Sequence, residues 1–285
     1  MKSKIPDQPP SASLIVTCYN KPEQLRVVLT SALDQTVLPR EIVVADDGSK
    51  DDVRSLIREL RVSSPIPLVH VWQPDEGFRL NRSRNNALAL ATGDYVVMLD
   101  GDCFVNRFFI EDHVGQARID QYVGGRRVHI DPSRREYVLR TGDLRINFFS
   151  RGKSKSTYAI RSHWLSKLFS TRGAAYSEDF EKIAGANMAF WRADAERVNG
   201  FNEVFVGYGG DDRDFVQRLT RSGLESYRLR HLAIAYHFKH QDRQREVRDD
   251  FEARLAASLE PNGYRVKDEF GLTRAYDDPT LRVER

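Results

Sequence analysis

ATGDYVVMLDGDC, residues 91–103, is the stretch that decides the fold. After the turn-forming Gly93 comes an apolar run, Tyr95–Leu99, with the length and composition of a buried strand, and two aspartates follow at once. Three similar apolar runs come earlier, each followed by a helix-patterned stretch. The apolar runs are Ser13–Cys18, Glu41–Ala45 and Leu68–Trp72, and the helical stretches are 23–33, 51–60 and 81–91. This alternation predicts an α/β fold with a mostly parallel sheet and helices on both faces.

The composition excludes several classes of protein. Hydrophobic residues make up 40% of the 285 residues, which is enough for one large core or two smaller ones. No uncharged apolar run approaches the roughly 18–20 residues of a membrane-spanning helix, and the first residues lack the apolar core of a secretory signal. Two cysteines cannot form a disulfide framework. We therefore expect a soluble protein of the reducing cytoplasm.

The charge of the chain is small but unevenly distributed. A net charge of +3 is too little for bulk attraction to nucleic acid, so no nucleic-acid partner is expected. Between Tyr122 and Arg172, however, twelve lysines and arginines stand against three acidic residues, a local excess of +9. This segment has few apolar periods, and we expect a partly mobile basic insertion over about residues 122–172. The positive charge suggests that this segment contacts an anionic partner. The alternative is that the segment is only a solvated loop.

The chain has further regular patterns on either side of the basic segment. Helices are predicted at 107–119, 193–198 and 212–219, and strands at 185–191 and 232–237. The charged stretch 243–259 is expected to be a helix that Pro261 ends. Its favoured interpretation is a solvated surface helix, and the alternative is a helix that lies on a membrane surface.

Polar residues follow three of the four predicted strands. They are Thr17-Cys-Tyr-Asn20 after the first, Asp46-Asp47-Gly48-Ser49 after the second and Asp100-Gly101-Asp102 after the fourth. In an open parallel sheet, ligands bind beyond the carboxyl ends of the strands, so four carboxylates are expected in one crevice. Their mutual repulsion calls for a cation, and a divalent metal is the natural one. The alternative is that these aspartates only form turns and cap helices.

No glycine-rich phosphate loop follows the first strand. Neither G-x-G-x-x-G nor G-x-x-x-x-G-K-S/T occurs there, which excludes an ordinary Rossmann dehydrogenase and a P-loop nucleotide hydrolase. A metal held by Asp102 could bind the phosphates of a nucleotide instead.

Five motifs, taken in order, resemble those of the inverting family-2 glycosyltransferases of the GT-A fold. They are TCYNKPEQL, EIVVADDGSKD, GFRLNRSRNNAL, ATGDYVVMLDGDC, and GANMAFWR followed by NGFNEVFVGYGGDDRDFVQRL. The last is similar to the galactosyltransferase-like half of chondroitin-type polymerases and of animal β-1,4-galactosyltransferases. The resemblance implies a GT-A, Rossmann-like domain at 13–240, with a nucleotide-binding half at 13–103 and an acceptor and catalytic half at 173–240. A flexible segment, 1–12, would precede it, and a helical tail, 241–285, would follow.

The resemblance also implies which residues bind the nucleotide. Thr17 and Tyr19 would line the base, and Asp47 would accept a hydrogen bond from the uracil N3–H. Asp100 would contact the ribose, and Arg84 would be a cation near the nucleotide.

The same resemblance implies a general base and a set of metal ligands. Asp212 matches the position of the base. Asp211 stands where the family usually has the longer glutamate, and it would be the second catalytic carboxylate, in contact with the acceptor hydroxyl. Asp102, His237 and His240 resemble the metal ligands, and imidazole beside carboxylate favours Mn²⁺ over Mg²⁺.

Three further positions are candidates for substrate contacts. Arg79 and Asn187 are unusual choices for a core and suit hydrogen bonds to the donor sugar or the diphosphate. The loop Tyr208-Gly209-Gly210, just before the predicted base, would be a wall for the acceptor and the sugar, or simply a turn.

Together these features predict a metal-dependent enzyme that moves a hexosyl or N-acetylhexosaminyl group, with inversion, from a UDP-sugar to a hydroxyl of a glycan or lipid-linked acceptor. The acceptor could be anionic, and the expected setting is bacterial surface polysaccharide or lipopolysaccharide synthesis, in the cytoplasm or on the inner face of the membrane. Two alternatives stay open. One is a non-catalytic module that binds glycans or polyanions. The other is a sugar nucleotidyltransferase, which the lack of a glycine-rich basic loop after the first strand disfavours.

Overall fold

The first hundred residues form four strands joined by helices. This is a computed structural model, and it describes residues 4–154, 156–173, 185–207, 211–239 and 251–285. The elements are β1 (Ala12–Cys18), α1 (Pro22–Leu33), β2 (Glu41–Asp46), α2 (Asp51–Val62), β3 (Leu68–Trp72), α3 (Leu80–Leu90) and β4 (Tyr95–Asp100). The four strands lie in the order β3-β2-β1-β4, and every neighbouring pair is parallel. The predicted alternation of strand and helix is confirmed, with bounds that shift by one or two residues.

Later strands extend this sheet and build a smaller one. The next elements are β5 (Cys103–Val105), α4 (Phe109–Gln116), β6 (Gln121–Gly124), β7 (Arg127–Ile130), α5 (Pro132–Thr141), α6 (His163–Phe169), β8 (Thr171–Gly173), β9 (Asn187–Trp191) and α7 (Arg192–Arg197). The last are α8 (Asp211–Arg221), β10 (Glu225–Arg228), β11 (Ala235–Phe238), α9 (Phe251–Ser258), α10 (Leu272–Tyr276) and β12 (Arg282–Glu284). The large sheet has the order β12-β3-β2-β1-β4-β9-β6-β10-β8, and the small sheet has the order β5-β11-β7. Beyond β4 the large sheet is mixed, because β9 runs antiparallel to both β4 and β6.

Helices cover the large sheet on both faces, as its apolar strands predict. Successive side chains of a strand point to opposite faces. On β1, Leu14 and Val16 therefore join a core with α1 and α2, whereas Ile15 joins a second core with α3 and α8. A third core lies against the small sheet and includes Phe104, Val128 and apolar residues of α5 and β11. This layered packing fixes the carboxyl ends of the strands, where the candidate site lies.

The segment expected to be a mobile basic insertion is in large part built into the two sheets. Its β6 lies between β9 and β10 in the large sheet, and its β7 pairs in parallel with β11 in the small one. Each of these strands has four residues and a distant partner, so the local sequence carries little periodic signal. Two helices, α5 and α6, and a loop carry much of the rest of the segment.

The C-terminal segment, predicted as a helical tail, also contributes to the domain. Of the helix predicted at 243–259, the structure describes α9, and residues 243–250 lie outside the described part. After it, α10 packs against α3, and β12 pairs antiparallel with β3 at the edge of the large sheet. The Glu284 carboxylate forms ion pairs with Arg54, Arg58 and Arg61 of α2. Within the described residues, no helix is both long and apolar enough to cross a membrane.

Candidate active site

The carboxyl ends of β1, β2 and β4 lie side by side. In the parallel register Thr17 pairs with Asp100, and Cys18 pairs with Asp46. The Thr17 hydroxyl donates a hydrogen bond to Asp100 Oδ1 over 3.1 Å. Between Asp100 and Asp102 the chain must be glycine, because a Cβ at Gly101 would collide with the Thr17 carbonyl oxygen. The predicted crevice is therefore formed by these three strand ends.

The neighbouring aspartates after β2 have different surroundings. Asp47 accepts hydrogen bonds from Gln73 Nε2 at 2.6 Å and from the Arg79 main-chain N–H at 2.8 Å. Burial raises the pKa of Asp47 to about 6, although these two donors act in the opposite direction. Asp46, by contrast, lies 2.8 Å from His70 Nε2 and accepts the Ser49 N–H. The expectation that all four carboxylates share the crevice is therefore wrong for Asp46. Its carboxylate is buried, and its oxygens bond to His70 and to the Ser49 main chain.

Tyr19 is the most exposed of the predicted nucleotide contacts. The residue is 47% exposed, and its hydroxyl donates to Asp75 Oδ2 over 3.1 Å. That hydrogen bond raises the pKa of the Tyr19 hydroxyl. The hydrogen bond to Asp75 fixes the hydroxyl end of the side chain. Because about half of the residue is exposed, a ligand could contact it.

A buried arginine links the strand ends to the second half of the chain. The Arg84 side chain, on α3, is only 2% exposed, and its Nη1 lies 2.9 Å from Asp212 Oδ1. Its Nη2 lies 3.8 Å from Asp100 Oδ1, and its guanidinium lies over the Phe201 ring at 5.1 Å. Arg84 therefore connects the residue predicted to contact the ribose with the residue predicted to be the base.

Asp212 lies in the first turn of α8. Its Oδ2 accepts the Gly185 N–H over 2.7 Å, and its side chain is 27% exposed. A Cβ at residue 185 would displace the Asp212 carboxylate and the Arg84 guanidinium from their present positions, so glycine leaves room for this ion pair. Asp211 begins α8, but its side chain lies outside the described residues.

The Asp100 carboxylate is surrounded by charges of both signs. Burial raises its pKa, the nearby Arg84 lowers it, and the neighbouring Asp102 and Asp212 raise it again. The proximity of these carboxylates makes a cation at this edge electrostatically favourable.

Asp102 and His237 form the core of a candidate metal site. Among the described residues, one group of three possible ligands lies within 4.8 Å, and it consists of Asp102, Cys103 and His237. His237 Nε2 lies 3.3 Å from Asp102 Oδ2, close to the roughly 3.0 Å between adjacent ligands of an octahedral ion with bonds of about 2.1 Å. Burial, reinforced by Asp102, raises the pKa of the Cys103 thiol, and the thiol donates a hydrogen bond to Asp102 Oδ1 over 3.4 Å. The carboxylate of Asp102 and the imidazole of His237 are a donor set that fits Mn²⁺. His240 lies outside the described residues.

Arg127, which the sequence placed in the basic segment, lies among the carboxylates of the site. Burial alone would lower the pKa of its guanidinium, but the proximity of Cys103, Asp100, Asp212 and Asp102 raises it. The alternation of apolar and polar residues along β7 could have indicated this position of Arg127. Val128 and Ile130 enter the third core, so Arg127 shares the opposite face of β7 with His129.

Two of the predicted substrate contacts are used inside the protein. Asn187 is only 1% exposed, and its amide bonds to His113 Nε2 at 2.9 Å and to the carbonyls of Ala233 and Arg126 at 2.9 and 3.1 Å. The predicted contact of Asn187 with the donor is therefore corrected to a structural role, because its hydrogen bonds fix the start of β9. The Arg79 guanidinium bonds to the Pro74 carbonyl at 2.8 Å and to Glu76 at 2.5 Å. The bond from Arg79 to Asp47 is made by the Arg79 main-chain N–H and not by its guanidinium. The loop 208–210 lies outside the described residues.

Together these features describe an α/β domain in which carboxylates line one edge of the sheet, a candidate metal site lies beside them, and Arg84 connects that edge to the Asp212 carboxylate. Comparison with known proteins specifies the family. The chain belongs to Glycosyl transferase family 2, whose sequence model matches residues 13–183, more than half of its length. A second model, described as the N-terminal domain of galactosyltransferase, matches residues 169–241.

Relatives of known function point in the same direction. A chondroitin synthase of Escherichia coli is 27% identical over 274 residues, which is 90% of this chain and 39% of the synthase. The chain thus spans about two fifths of that relative.

Solved structures agree on the fold. A mannosyltransferase of Pyrobaculum calidifontis, in complex with GDP-Man and Mn²⁺, is 20% identical with a TM-score of 0.55 over 90% of this chain and 63% of its own. TarS 1–349 of S. aureus, in complex with UDP-GlcNAc, is 17% identical with a TM-score of 0.59 over 87% and 65%. At these identities the likeness establishes the GT-A type of fold alone.

Proposed function

We propose that this chain transfers a sugar from a UDP-sugar to a hydroxyl of a glycan or lipid-linked acceptor, with inversion at the anomeric carbon. One observation carries the proposal. Arg84 lies 2.9 Å from the Asp212 carboxylate and 3.8 Å from Asp100, so a partly exposed carboxylate stands one guanidinium away from the edge of the sheet where β1, β2 and β4 end. A carboxylate in this position can act on a hydroxyl that attacks a sugar bound there.

The donor's base would be recognised by Asp47 with Tyr19. Each Asp47 oxygen already accepts one hydrogen bond, but a carboxylate has about four acceptor sites, so a further one from the uracil N3–H is feasible. The Tyr19 ring offers an apolar face beside it. The neighbours in complex with UDP-GlcNAc and GDP-Man support a nucleotide-sugar donor, and Asp47 favours uracil.

Asp102 and His237 would hold a divalent ion, and His240 is the further candidate ligand. We favour Mn²⁺ over Mg²⁺ as this ion, and the Mn²⁺ in the mannosyltransferase complex supports that preference. Such an ion, when bound, neutralises charge on the diphosphate leaving group.

Asp212 would act as the general base. Its carboxylate takes the proton of the acceptor hydroxyl while the hydroxyl oxygen forms the new bond to the anomeric carbon. The bond from that carbon to the diphosphate oxygen breaks on the opposite face, and UDP leaves with the electron pair. Among the described residues, Arg84 and Arg127 are two cations close to the carboxylate cluster, where they could stabilise the departing charge.

The acceptor would be anionic. Exposed cations, among them Arg140, Arg145, Arg151 and Lys167, occur along the basic segment. They suit a lipid-linked pyrophosphate or a phosphorylated saccharide. The likeness to a chondroitin synthase supports a place in bacterial surface polysaccharide synthesis, at the cytoplasmic face of the membrane.

The test is a screen of UDP-sugars for acceptor-dependent release of UDP by the wild-type chain and by Asp212→Asn. Turnover by the wild type with one or a few donors, and its loss in the variant, is the expected result. Specific binding of glycans without UDP release from any donor would favour the binding module.

A further inference from the structure

His129 lies beside the candidate metal ligand His237 on the neighbouring strand. The parallel pairing of β7 with β11 places these two residues opposite each other. Their Nδ1 atoms are 3.1 Å apart, and the rings meet edge to face, with centroids 5.2 Å apart at 85°. Neither the resemblance to the family nor the sequence pattern assigned a role to His129.

The distance between the two nitrogens restricts where the proton lies. For a hydrogen bond between them, one Nδ1 must donate and the other must accept, and a neutral imidazole carries one N–H. The other nitrogen of His237, Nε2, faces Asp102 Oδ2 at 3.3 Å. If Nε2 is to offer its lone pair to a cation, the His237 proton must be on Nδ1, where it points at His129.

We propose that His129 is a positioning residue that accepts the His237 Nδ1–H and so keeps His237 Nε2 deprotonated and directed at the divalent cation. The inference rests on the proposed function, since it takes Asp102 and His237 as ligands. It adds the residue that fixes the tautomer and the ring orientation of one ligand, a task that outer partners commonly perform at metal sites.

His129 acts through His237 and is not itself a ligand of this ion. The described group whose ligand atoms all lie within 4.8 Å contains Asp102, Cys103 and His237, and His129 is not part of it. His129 is also exposed, so replacing it leaves no buried cavity. A variant at this position should therefore fold.

The direct test is titration of the full chain with Mn²⁺, without nucleotide, followed by calorimetry or by the electron paramagnetic resonance signal of the ion. We expect His129→Ala to weaken Mn²⁺ binding by about 10–100-fold. His129→Asn, whose side-chain oxygen can accept near the position of Nδ1, should stay within about threefold of the wild type. His163→Ala, at an exposed histidine on α6, is the matched control and should change nothing.

A second readout reports the tautomer directly. With diamagnetic Zn²⁺ in place of Mn²⁺, nitrogen-15 spectra of the histidine rings should show the Nδ1–H form of His237 in the wild type and in His129→Asn, and a smaller fraction of that form in His129→Ala.

The outcomes separate the two proposals. If His237→Ala weakens Mn²⁺ binding and His129→Ala does not, the role of His129 is overturned and the metal site stands. If the wild type does not bind Mn²⁺ at all, both the role of His129 and the metal part of the proposed function are overturned. Equal losses in the alanine and asparagine variants would also overturn the acceptor role.

Discussion

Replacing Asp212 with asparagine separates its proposed role as a proton acceptor from its structural contacts with Gly185 and Arg84. Asparagine can still accept the Gly185 N–H with its oxygen, but its amide group would then face Arg84 Nη1 at the 2.9 Å where a carboxylate oxygen stands. Two donors would oppose each other across that distance. The variant therefore loses a proton acceptor and an ion pair at once, and each loss has its own measurable size.

The stability cost can be bounded from the contacts. Removing one partner of a fully buried ion pair costs about 3–5 kcal/mol. Asp212 is 27% exposed, and Arg84 keeps Asp100 at 3.8 Å, so we expect a smaller loss of about 1–3 kcal/mol. For a chain of this size, that corresponds to a fall in Tm of between about 2 and 10 °C.

The catalytic cost should be larger. Loss of a general base lowers kcat by about 10²–10⁴, or about 3–5 kcal/mol in the barrier. UDP affinity should not fall, because Arg84 is released from Asp212 and its charge becomes available to the diphosphate.

The assay combines single-turnover transfer at a temperature well below the Tm with calorimetric titration by UDP. Asp211→Asn is the matched neighbour, and it should lower kcat less than Asp212→Asn does. If Asp212→Asn folds, binds UDP and turns over within a few-fold of the wild type, the base is another residue and Asp211 becomes the first candidate.

Other consequences of the site can be checked in solution. Treatment with EDTA should abolish transfer, and Mn²⁺ should restore it better than Ca²⁺, because Asp102 and His237 offer one oxygen and one nitrogen; full activity after exhaustive chelation would contradict the metal site. UDP should bind far better than CDP, whose ring presents an acceptor to Asp47, and equal calorimetric affinities would remove Asp47 from this role. Because UDP would bind the ionised form of Asp47, whose pKa is about 6, its affinity should fall as the pH drops below about 6, and a flat profile of Kd against pH would oppose this assignment. Charge reversal at the exposed Arg140 and Arg151 should raise the KM for an anionic acceptor and blunt its salt dependence while the Kd of UDP stays unchanged; unaltered acceptor kinetics would mean a solvated surface.

The first half of the fold was predictable because its signals are local. Each of β1 to β4 is a short apolar run buried on both faces, and the burial of these runs is nearly complete. Parallel neighbours joined by crossover helices then leave few arrangements, and all of them bring the strand ends to one edge. The positions of Thr17, Asp47 and Asp100 follow from that argument.

The second half was less predictable because its strands are short and pair with distant partners. The four residues of β7 find their register against β11, more than a hundred residues further along the chain. Sequence composition described Arg127 as one of many cations on a basic surface. Its place among carboxylates depends on that distant pairing and on which face of β7 it shares with His129.

Side-chain direction was the other source of error. Asp46 and Asp47 are adjacent in sequence, and alternation along an extended chain sends them to different surroundings, one toward His70 and one toward Gln73. Asn187 looked like a substrate contact because it is polar, whereas its amide completes the hydrogen bonding of buried main chain. Composition indicates that such a group needs a partner but does not identify the partner.

The pairing of β12 with β3 has a consequence for how the chain folds and how it tolerates truncation. Leu68-Val-His-Val-Trp72 is an apolar strand whose outer edge is covered by Arg282–Glu284, a segment that comes much later in the sequence. During synthesis this edge stays open until that segment has been made, and an open apolar edge is a template for pairing with another molecule. Chains cut before Arg282 should therefore aggregate through the exposed edge of β3, even if the strand ends of β1, β2 and β4 that form the candidate site are intact.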